Sequence, residues 1–478
     1  MEQLPNDLLL TVMEYLRTED LFACRLVCKK LGALALHPGV WRRQRCSSGR
    51  AGTGDKAVCR VLRLAPRLNK LTLRLEGRSH HVSYDRTKCA VRELELEMNA
   101  SSAVLANLMI RNQEALGRLR RVALTLCDVV KAETGALCLT LATSSVLKKL
   151  EIKCYSYPPR LPFADGLSCT VHTPSLEYFQ CSFQLASEGF INFVLAGHAS
   201  TLKVVDLGDK DRMTARSSST ASLLAGVAHL QQLTCPLLPS MEDLAASASL
   251  TNLTLYVSSA MKQVAPAAAN FLRRARHLRD VTLCYRSDDR YPADVGVDLV
   301  GALAGTGQNG VQVLNIENTI WPDDDDDGEG EGERVPYPYL EPLARALPSM
   351  PALSSLSVDV FGVPEELLEA ISPDTAPALD TLRLTPEGPD RGGDRDQPEC
   401  AHGWRHEDSV EKFLALNPKI KLSIRCERMS CYSEKYSKWK CQSCKQGCHM
   451  QHYRNSKTYL YCWARMFPDS ELSSSNVQ

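Results

Sequence analysis

The sequence predicts an α/β chain. A small helical unit opens it. A long array of short strands and helices follows, stacked as an irregular solenoid with parallel strands inside and helices outside, and a cysteine-rich cap closes it. Three observations predict this. The first 45 residues carry apolar side chains at helical spacing. From Leu68 to Leu384 a Leu-like residue recurs at i, i+3 and i+5, twelve times over. Beyond residue 425 that pattern stops and cysteine, histidine and basic residues take over.

In the opening segment, Pro5 stands where a helix starts and a missing N–H costs nothing. Leu8, Val12, Tyr15 and Leu16 mark one face of a first helix. Thr18 reads as the N-cap of a second, with Glu19 and Asp20 in its first turn. The apolar face of that helix is Leu21, Cys24, Val27, Cys28 and Leu31, and Leu34, Leu36, Val40 and Trp41 follow the break at His37-Pro38-Gly39. Three short helices cannot bury all of these side chains. At about 1.5–3 kcal/mol per large apolar side chain, the surplus is a surface for a partner.

This segment resembles the F-box. The family's opening Leu-Pro stands here as Leu4-Pro5, its apolar pair as Leu8-Leu9 and its Tyr-Leu as Tyr15-Leu16. Leu21 follows the acidic turn, Val27-Cys28-Lys29-Lys30 matches the basic Val-Cys stretch, and Trp41-Arg42-Arg43 the closing Trp. Gly32-Ala33 departs from the pattern, which often has a bulky residue there. The resemblance implies binding to the Skp-type adaptor of a cullin ubiquitin ligase. It implies that Leu4, Pro5, Leu8, Leu9, Leu16, Leu21 and Trp41 contribute to that docking or to the helix packing behind it. The alternative is a helical cap on the array that follows.

The twelve apolar triplets run from Leu68/Leu71/Leu73 through Leu147/Leu150/Ile152 and Val281/Leu283 to Leu379/Leu382/Leu384, most of them 20 to 33 residues apart. Alternation at Leu71, Leu73 and Leu75, and at Leu94, Leu96 and Met98, is that of a strand buried on one face. Ala103 to Leu116, Gly189 to Gly197 and Ala265 to Arg276 read as helices between strands. A strand–helix unit cannot bury its apolar face alone, whereas stacked copies can. Residues 58–425 therefore resemble leucine-rich repeats. That family usually has Asn or Cys three residues past the triplet, found here only as Asn99 and Cys127. A Leu-rich helical array is the alternative, and Val, Ile, Thr and Tyr at strand positions argue against it.

Side chains between the buried positions face the concave sheet surface of such a solenoid. The expected substrate strip is Arg74, Glu95, Glu97, Glu151, Lys153, Asp206, Tyr256, Glu317, Asp359 and Arg383. Each taken singly reads as a solvated surface residue. Together they make a mixed polar strip suited to a protein substrate.

Residues 1–45 are thus the helical domain, 46–57 a link, 58–425 the repeats and 426–478 a basic Cys/His-rich region. The acidic run 323–333 and the polar stretch 387–398 are insertions too polar to bury surface. In the last region Cys441-x-x-Cys444 has chelating spacing, and Cys448 with His452 would complete four zinc ligands. Reduced cysteines capping the last repeat are the preferred reading, structural zinc the second. Basic and aromatic residues interleave there, as in nucleic-acid binders, yet a folded basic end-cap is preferred.

Lys plus Arg equals Asp plus Glu, 56 of each, so no overall bias toward nucleic acid or membrane is expected. No signal pattern and no long apolar run stand in the chain, which points to the cytoplasm, the nucleus or both. The 19 cysteines are then reduced. No motif pairs a cysteine with a base, so no catalysis and no cofactor are expected. The reading is a substrate-recognition subunit of a Skp–cullin–F-box ligase. The rivals are an adaptor-bound scaffold that delivers nothing for degradation and a zinc-dependent nucleic-acid-binding tail.

Overall fold

The computed structural model describes residues 4–48, 55–75, 84–127, 132–154, 170–181, 188–208, 219–258, 261–287, 296–305, 310–320, 338–360, 362–386, 404, 407–425 and, as backbone, 461–464. The chain divides into two compact units, Met1–Met213 with Gly226–Leu230, and Thr214–Ala225 with Gln231–Gln478.

The first unit opens with helices α1 (Asn6–Glu14), α2 (Thr18–Val27), α3 (Lys29–Ala35) and the single turn α4 (Pro38–Trp41). Pro5 holds the N-cap position of α1. Arg17, not Thr18, is the N-cap of α2, and the Thr18 hydroxyl donates instead to Gln44 Oε1 at 3.5 Å. The helix expected to run through Leu31 breaks at Cys28. Its extended backbone lets Sγ accept the Leu31 amide at 3.5 Å and start α3. Leu9, Met13, Leu21, Phe22, Leu31, Ala35, Val40 and Trp41 form the core of this helical cluster. The Phe22 and Trp41 rings lie 5.7 Å apart, and Trp41 Nε1 donates to the Ala35 carbonyl at 2.7 Å, so the indole is both packed and satisfied.

Residues 46–57, expected as a link, begin instead with part of a strand. β1 (Arg45–Ser47) pairs in parallel with β2 (Arg67–Leu75), and α5 (Asp55–Leu64) follows it. Periodicity hides β1 because its triplet is Trp41, Gln44 and Cys46, with a polar residue in the middle. Gln44 is nonetheless buried, and its polar atoms are used. Its Nε2 donates to the Leu16 carbonyl at 2.9 Å, and its own carbonyl accepts the Asn69 amide at 2.9 Å. From α5, the Arg60 guanidinium lies 4.8 Å from the Phe22 ring centre. The helical cluster and the first strands of this unit are thus one packed body.

β3 (Ala90–Met98), β4 (Arg121–Leu126), β5 (Lys149–Cys154), β6 (Tyr178–Cys181) and β7 (Val204–Asp206) continue from β2 in chain order, each parallel to the last. Between them stand α6 (Ala103–Ala115), α7 (Ala132–Ala142) and α8 (Glu188–His198). The second unit repeats the plan with α9 (Ser219–Ala225), β8 (Gln232–Pro236), β9 (Asn252–Ser258), α10 (Ala265–Arg274), β10 (Asp280–Ser287), α11 (Val297–Ala304) and β11 (Val313–Ile320). α12 (Leu340–Ala346), β12 (Ser355–Val360), α13 (Glu365–Ala370), β13 (Thr381–Pro386), α14 (Asp408–Leu416) and β14 (Lys421–Arg425) complete it. β8 to β14 are parallel in chain order, and β15 (Tyr461–Ala464) runs antiparallel along β14, covering its open edge.

All three apolar positions of all twelve triplets are buried. Their spacing of three and then two has a backbone cause. Before most strands, two successive amides converge on one carbonyl of the preceding repeat. Lys148 and Lys149 meet the Arg120 carbonyl at 2.8 and 3.0 Å, and Arg279 and Asp280 meet that of Thr251 at 2.9 and 3.1 Å. That turn absorbs one residue, and strict alternation begins after it. His198 is a buried polar pin within the first unit. Its Nδ1 accepts the Ser175 amide at 3.0 Å, and its Nε2 faces the Ala142 carbonyl at 2.8 Å, so Nε2 carries the proton. Burial pushes its pKa down, and it stays neutral. Among the described residues no helix is long and apolar enough to cross a membrane.

Candidate docking face and polar sheet surfaces

The core residues of α1 are Leu9 and Met13, so its other face is left with Leu4, Leu8, Val12 and Tyr15, one stripe at three- and four-residue spacing. Their exposures are 43, 55, 59 and 74 %. Leu26 and Val27 are also exposed, at the end of α2. Glu14, beside Tyr15, accepts from Arg42 Nη2 at 2.9 Å and lies 3.0 Å from Arg43 Nε. The Arg42 hydrogen bond holds its carboxyl below the usual range. Arg43 also covers the Tyr15 ring at 5.7 Å. A run of large apolar side chains in water, bordered by charge, is the mark of a docking surface.

Residues 1–47 match the F-box-like family model. The chain carries an F-box-like domain. Such a domain implies an adaptor-binding module of Skp–cullin–F-box-type complexes, and it is typical of subunits that do no catalysis themselves. No curated protein matches the chain.

Within the F-box the structure sorts the seven docking residues expected from sequence. Leu4, Pro5 and Leu8 are on the exposed stripe, Leu16 is half-buried, and Leu9, Leu21 and Trp41 are core. The last three belong to the packing behind the face. Sequence reasoning placed Val12 and Tyr15 on the first helix and Val27 on the second without naming them as docking residues, and it passed over Leu26. The signal was present: the positions facing away from Leu9 and Met13 are the ones left to a partner.

The polar sheet face of the first unit is not the open strip expected. Strand register lines up three rows. Lys70, Glu93, Arg121 and Lys149 form one, Thr72, Glu95, Ala123, Glu151, Gln180 and Asp206 the next, and Arg74, Glu97, Thr125 and Lys153 the third. The middle row carries only acidic charges, the rows beside it carry most of the basic ones, and the opposite charges bind one another. Lys70 meets Glu95 at 2.7 Å, Arg74 meets Glu97 at 2.6 Å, and Gln180 donates to Asp206 at 2.7 Å. Arg121 reaches Glu93, Glu95 and Glu151 at 3.3, 3.3 and 2.9 Å. Lys149 lies over the Tyr178 ring at 3.6 Å. Glu151, expected to contact substrate, is 4 % exposed and sits among Arg121, Lys149 and Lys153 at 2.9, 3.0 and 3.8 Å. A partner would have to break these pairs to use their charges, so the network is chiefly cohesive.

Burial pushes the Glu151 carboxyl up, but the hydrogen bond from Lys149 and the charge of Arg121 outweigh it, and the net direction is down. A carboxyl lowered in the folded state stabilises above its unfolded value, and that stability is lost as pH falls through the folded value. Glu151→Gln is therefore expected to cost about 2 kcal/mol at neutral pH, the scale of a charge-assisted hydrogen bond. The gap in melting temperature between parent and variant should close below about pH 4. A gap independent of pH would show that the carboxylate charge is not what the network uses.

The second unit presents a different face. Register aligns Thr234, Thr254, Thr282, Asn315, Ser357, Arg383 and Ser423 in one row. It is a ladder of hydroxyls and amides carrying one charge, Arg383, whose buried Nε has no hydrogen-bond partner. Asn315 Nδ2 donates to Thr282 Oγ1 at 3.1 Å. One step along the strands, Tyr256 is half-exposed, Glu317 accepts from the Cys284 thiol at 3.5 Å, and Asp359 accepts the Asn318 amide at 2.9 Å. The expected strip residues of this unit thus share one face, while the ion pairs described above stand on the face of the first unit.

The candidate zinc ligands Cys441, Cys444, Cys448 and His452 lie outside the described residues, as do the insertions 323–333 and 387–398. Of the described cysteines, Cys89, Cys138, Cys181, Cys235 and Cys284 are buried. Burial pushes the Cys138 thiol up to about 12, the state of an inert core residue.

Proposed function

We propose that the chain is a substrate-recognition subunit of a Skp–cullin–F-box ubiquitin ligase, built from an F-box and leucine-rich repeats. The observation that carries this reading is the exposed stripe Leu4, Leu8, Val12 and Tyr15 on an F-box-like domain. The packing of that domain against β2 through Gln44 and against α5 through Arg60 supports a receptor role. This joint ties the F-box to the first strands of its own unit, and proximity and orientation are what such a subunit contributes to ubiquitin transfer.

The substrate strip is best placed on the second unit. Its hydroxyl and amide row offers donors and acceptors at little electrostatic cost, whereas the first unit's charges already satisfy one another. Proteins captured by the full chain from cells with the proteasome inhibited should be lost from a Thr254→Arg, Ser357→Arg variant that still holds the adaptor. They should persist in a Lys70→Gln variant. Captured proteins whose turnover is unchanged when the chain is depleted would instead establish a scaffold.

A further inference from the structure

A third group of charges lies on neither of these surfaces. It stands along the edge of the first unit where its strands begin. Arg67 opens β2, and Arg92 lies in β3 between the register pairs Leu68–Val91 and Lys70–Glu93. Arg118 and Arg120 lead into β4, and the Arg120 amide donates to the Arg92 carbonyl at 2.9 Å. These arginines make no ion pair with any described carboxylate. Arg67 Nε donates to the Pro38 carbonyl at 2.5 Å, and Arg120 Nη1 to that of Leu119 at 2.7 Å. Arg118 Nη1 is buried with no hydrogen-bond partner among the described residues.

Packing like charges together with a buried orphan donor is unfavourable unless something answers it. Burial pushes the Arg118 pKa down, and the neighbouring charges of Arg67 and Arg92 push it the same way. Cys89, the one acidic group felt there, has its thiol held up to about 12 by burial, so it is uncharged at neutral pH. Farther along the same edge the chain does supply a counter-charge: Lys148 and Lys203 share Glu177 at 3.1 and 2.9 Å. At β2 to β4 it supplies none among the described residues.

We propose that Arg67, Arg92 and Arg118 form a binding site for a phosphate monoester group. Guanidinium forks match phosphate oxygens, and a dianion answers three positive charges better than a carboxylate does. The phosphate comes from a phosphorylated protein side chain or from a free small phosphate. The site is independent of the adaptor reading, because none of its residues is on the α1 stripe or in the sheet rows.

The test uses the full chain, with inorganic phosphate as the first probe and chloride at equal ionic strength as its reference. Phosphate is expected to raise the melting temperature beyond chloride, and the excess should vanish in Arg92→Gln and Arg118→Gln but persist in Arg111→Gln, an exposed arginine of α6. Arg92 is exposed, so its variant carries the test should the Arg118 variant misfold. A labelled phosphoserine peptide that binds at least about tenfold more tightly than its unphosphorylated form assigns the phosphate to a protein. Competition by inorganic phosphate alone, with no peptide binding, assigns it to a free phosphate. An excess shift that survives Arg92→Gln, an equal loss in Arg111→Gln, or no phosphate-specific shift overturns the proposal. So does a single-stranded oligonucleotide that binds and is not displaced by phosphate.

Discussion

A chain with Leu8→Glu and Val12→Glu is expected to lose co-purification with a Skp-type adaptor while keeping its stability to within about 0.5 kcal/mol, as for ordinary surface changes. Both side chains are more than half exposed in the free protein, so neither holds the fold together. In a complex each would lose its remaining water. Burying such a side chain is worth about 1.5–3 kcal/mol, and burying a carboxylate in its place adds a penalty. At about 1.4 kcal/mol per factor of ten, the pair should weaken binding by at least two orders of magnitude. The milder Pro5→Ala, Leu8→Ala pair should weaken it less. Competition binding with purified adaptor measures the affinity, and a thermal melt checks the fold. Retained affinity in a well-folded double variant would remove α1 from the docking face. Point changes suit this question better than deleting residues 1–45. The deletion would strip Gln44 from the start of β2 and Phe22 from beneath Arg60, so a lost interaction could reflect a damaged first repeat.

The sequence revealed the strands because each repeat repays its own pattern locally. Three apolar side chains must be buried on one face of a short strand, and the spacing that does this is readable without neighbours. β1 escaped because Gln44 takes a position reserved elsewhere for leucine, and its burial depends on partners 28 and 25 residues away, Leu16 and Asn69. The break at Cys28 was equally hidden. A sulfur accepting an amide competes with continued helix, and periodicity does not register that competition. The polar strip was legible in position but not in state. Alternation shows that Glu151 faces away from the core. Only register, which sets Ala123 across from it and Arg121 on the diagonal, across from Lys149, shows that it is buried and paired. The Arg67, Arg92 and Arg118 cluster is of the same kind, three residues from three successive repeats that the stacking of β2, β3 and β4 collects on one edge.

Trp41→Ala is expected to unfold the F-box while leaving the later strands of the same unit in place. The indole is fully buried, packs on Phe22 and donates to the Ala35 carbonyl at 2.7 Å. Truncating a buried tryptophan costs about 3–5 kcal/mol, and the stranded carbonyl adds about 1 kcal/mol or more. A cluster of about 45 residues has little more stability than that to lose. The loss should stay local, because β3 to β5 are held by their own triplets and by the Arg121 network rather than by Trp41. Hydrogen exchange separates the two regions. Amides of α1 to α3 should lose protection by a hundredfold or more, given about 1.4 kcal/mol per factor of ten, while those of β4 and β5 keep theirs. Adaptor binding should fall with the first group, although Trp41 itself has no surface to offer. Equal loss of protection through β5 would mean that the F-box and the repeats of this unit fold as one cooperative block, with the Gln44 and Arg60 contacts transmitting the damage. Unchanged protection in α1 to α3 would mean that the Phe22 side of the core closes over the cavity, and the docking stripe would then survive without its central support.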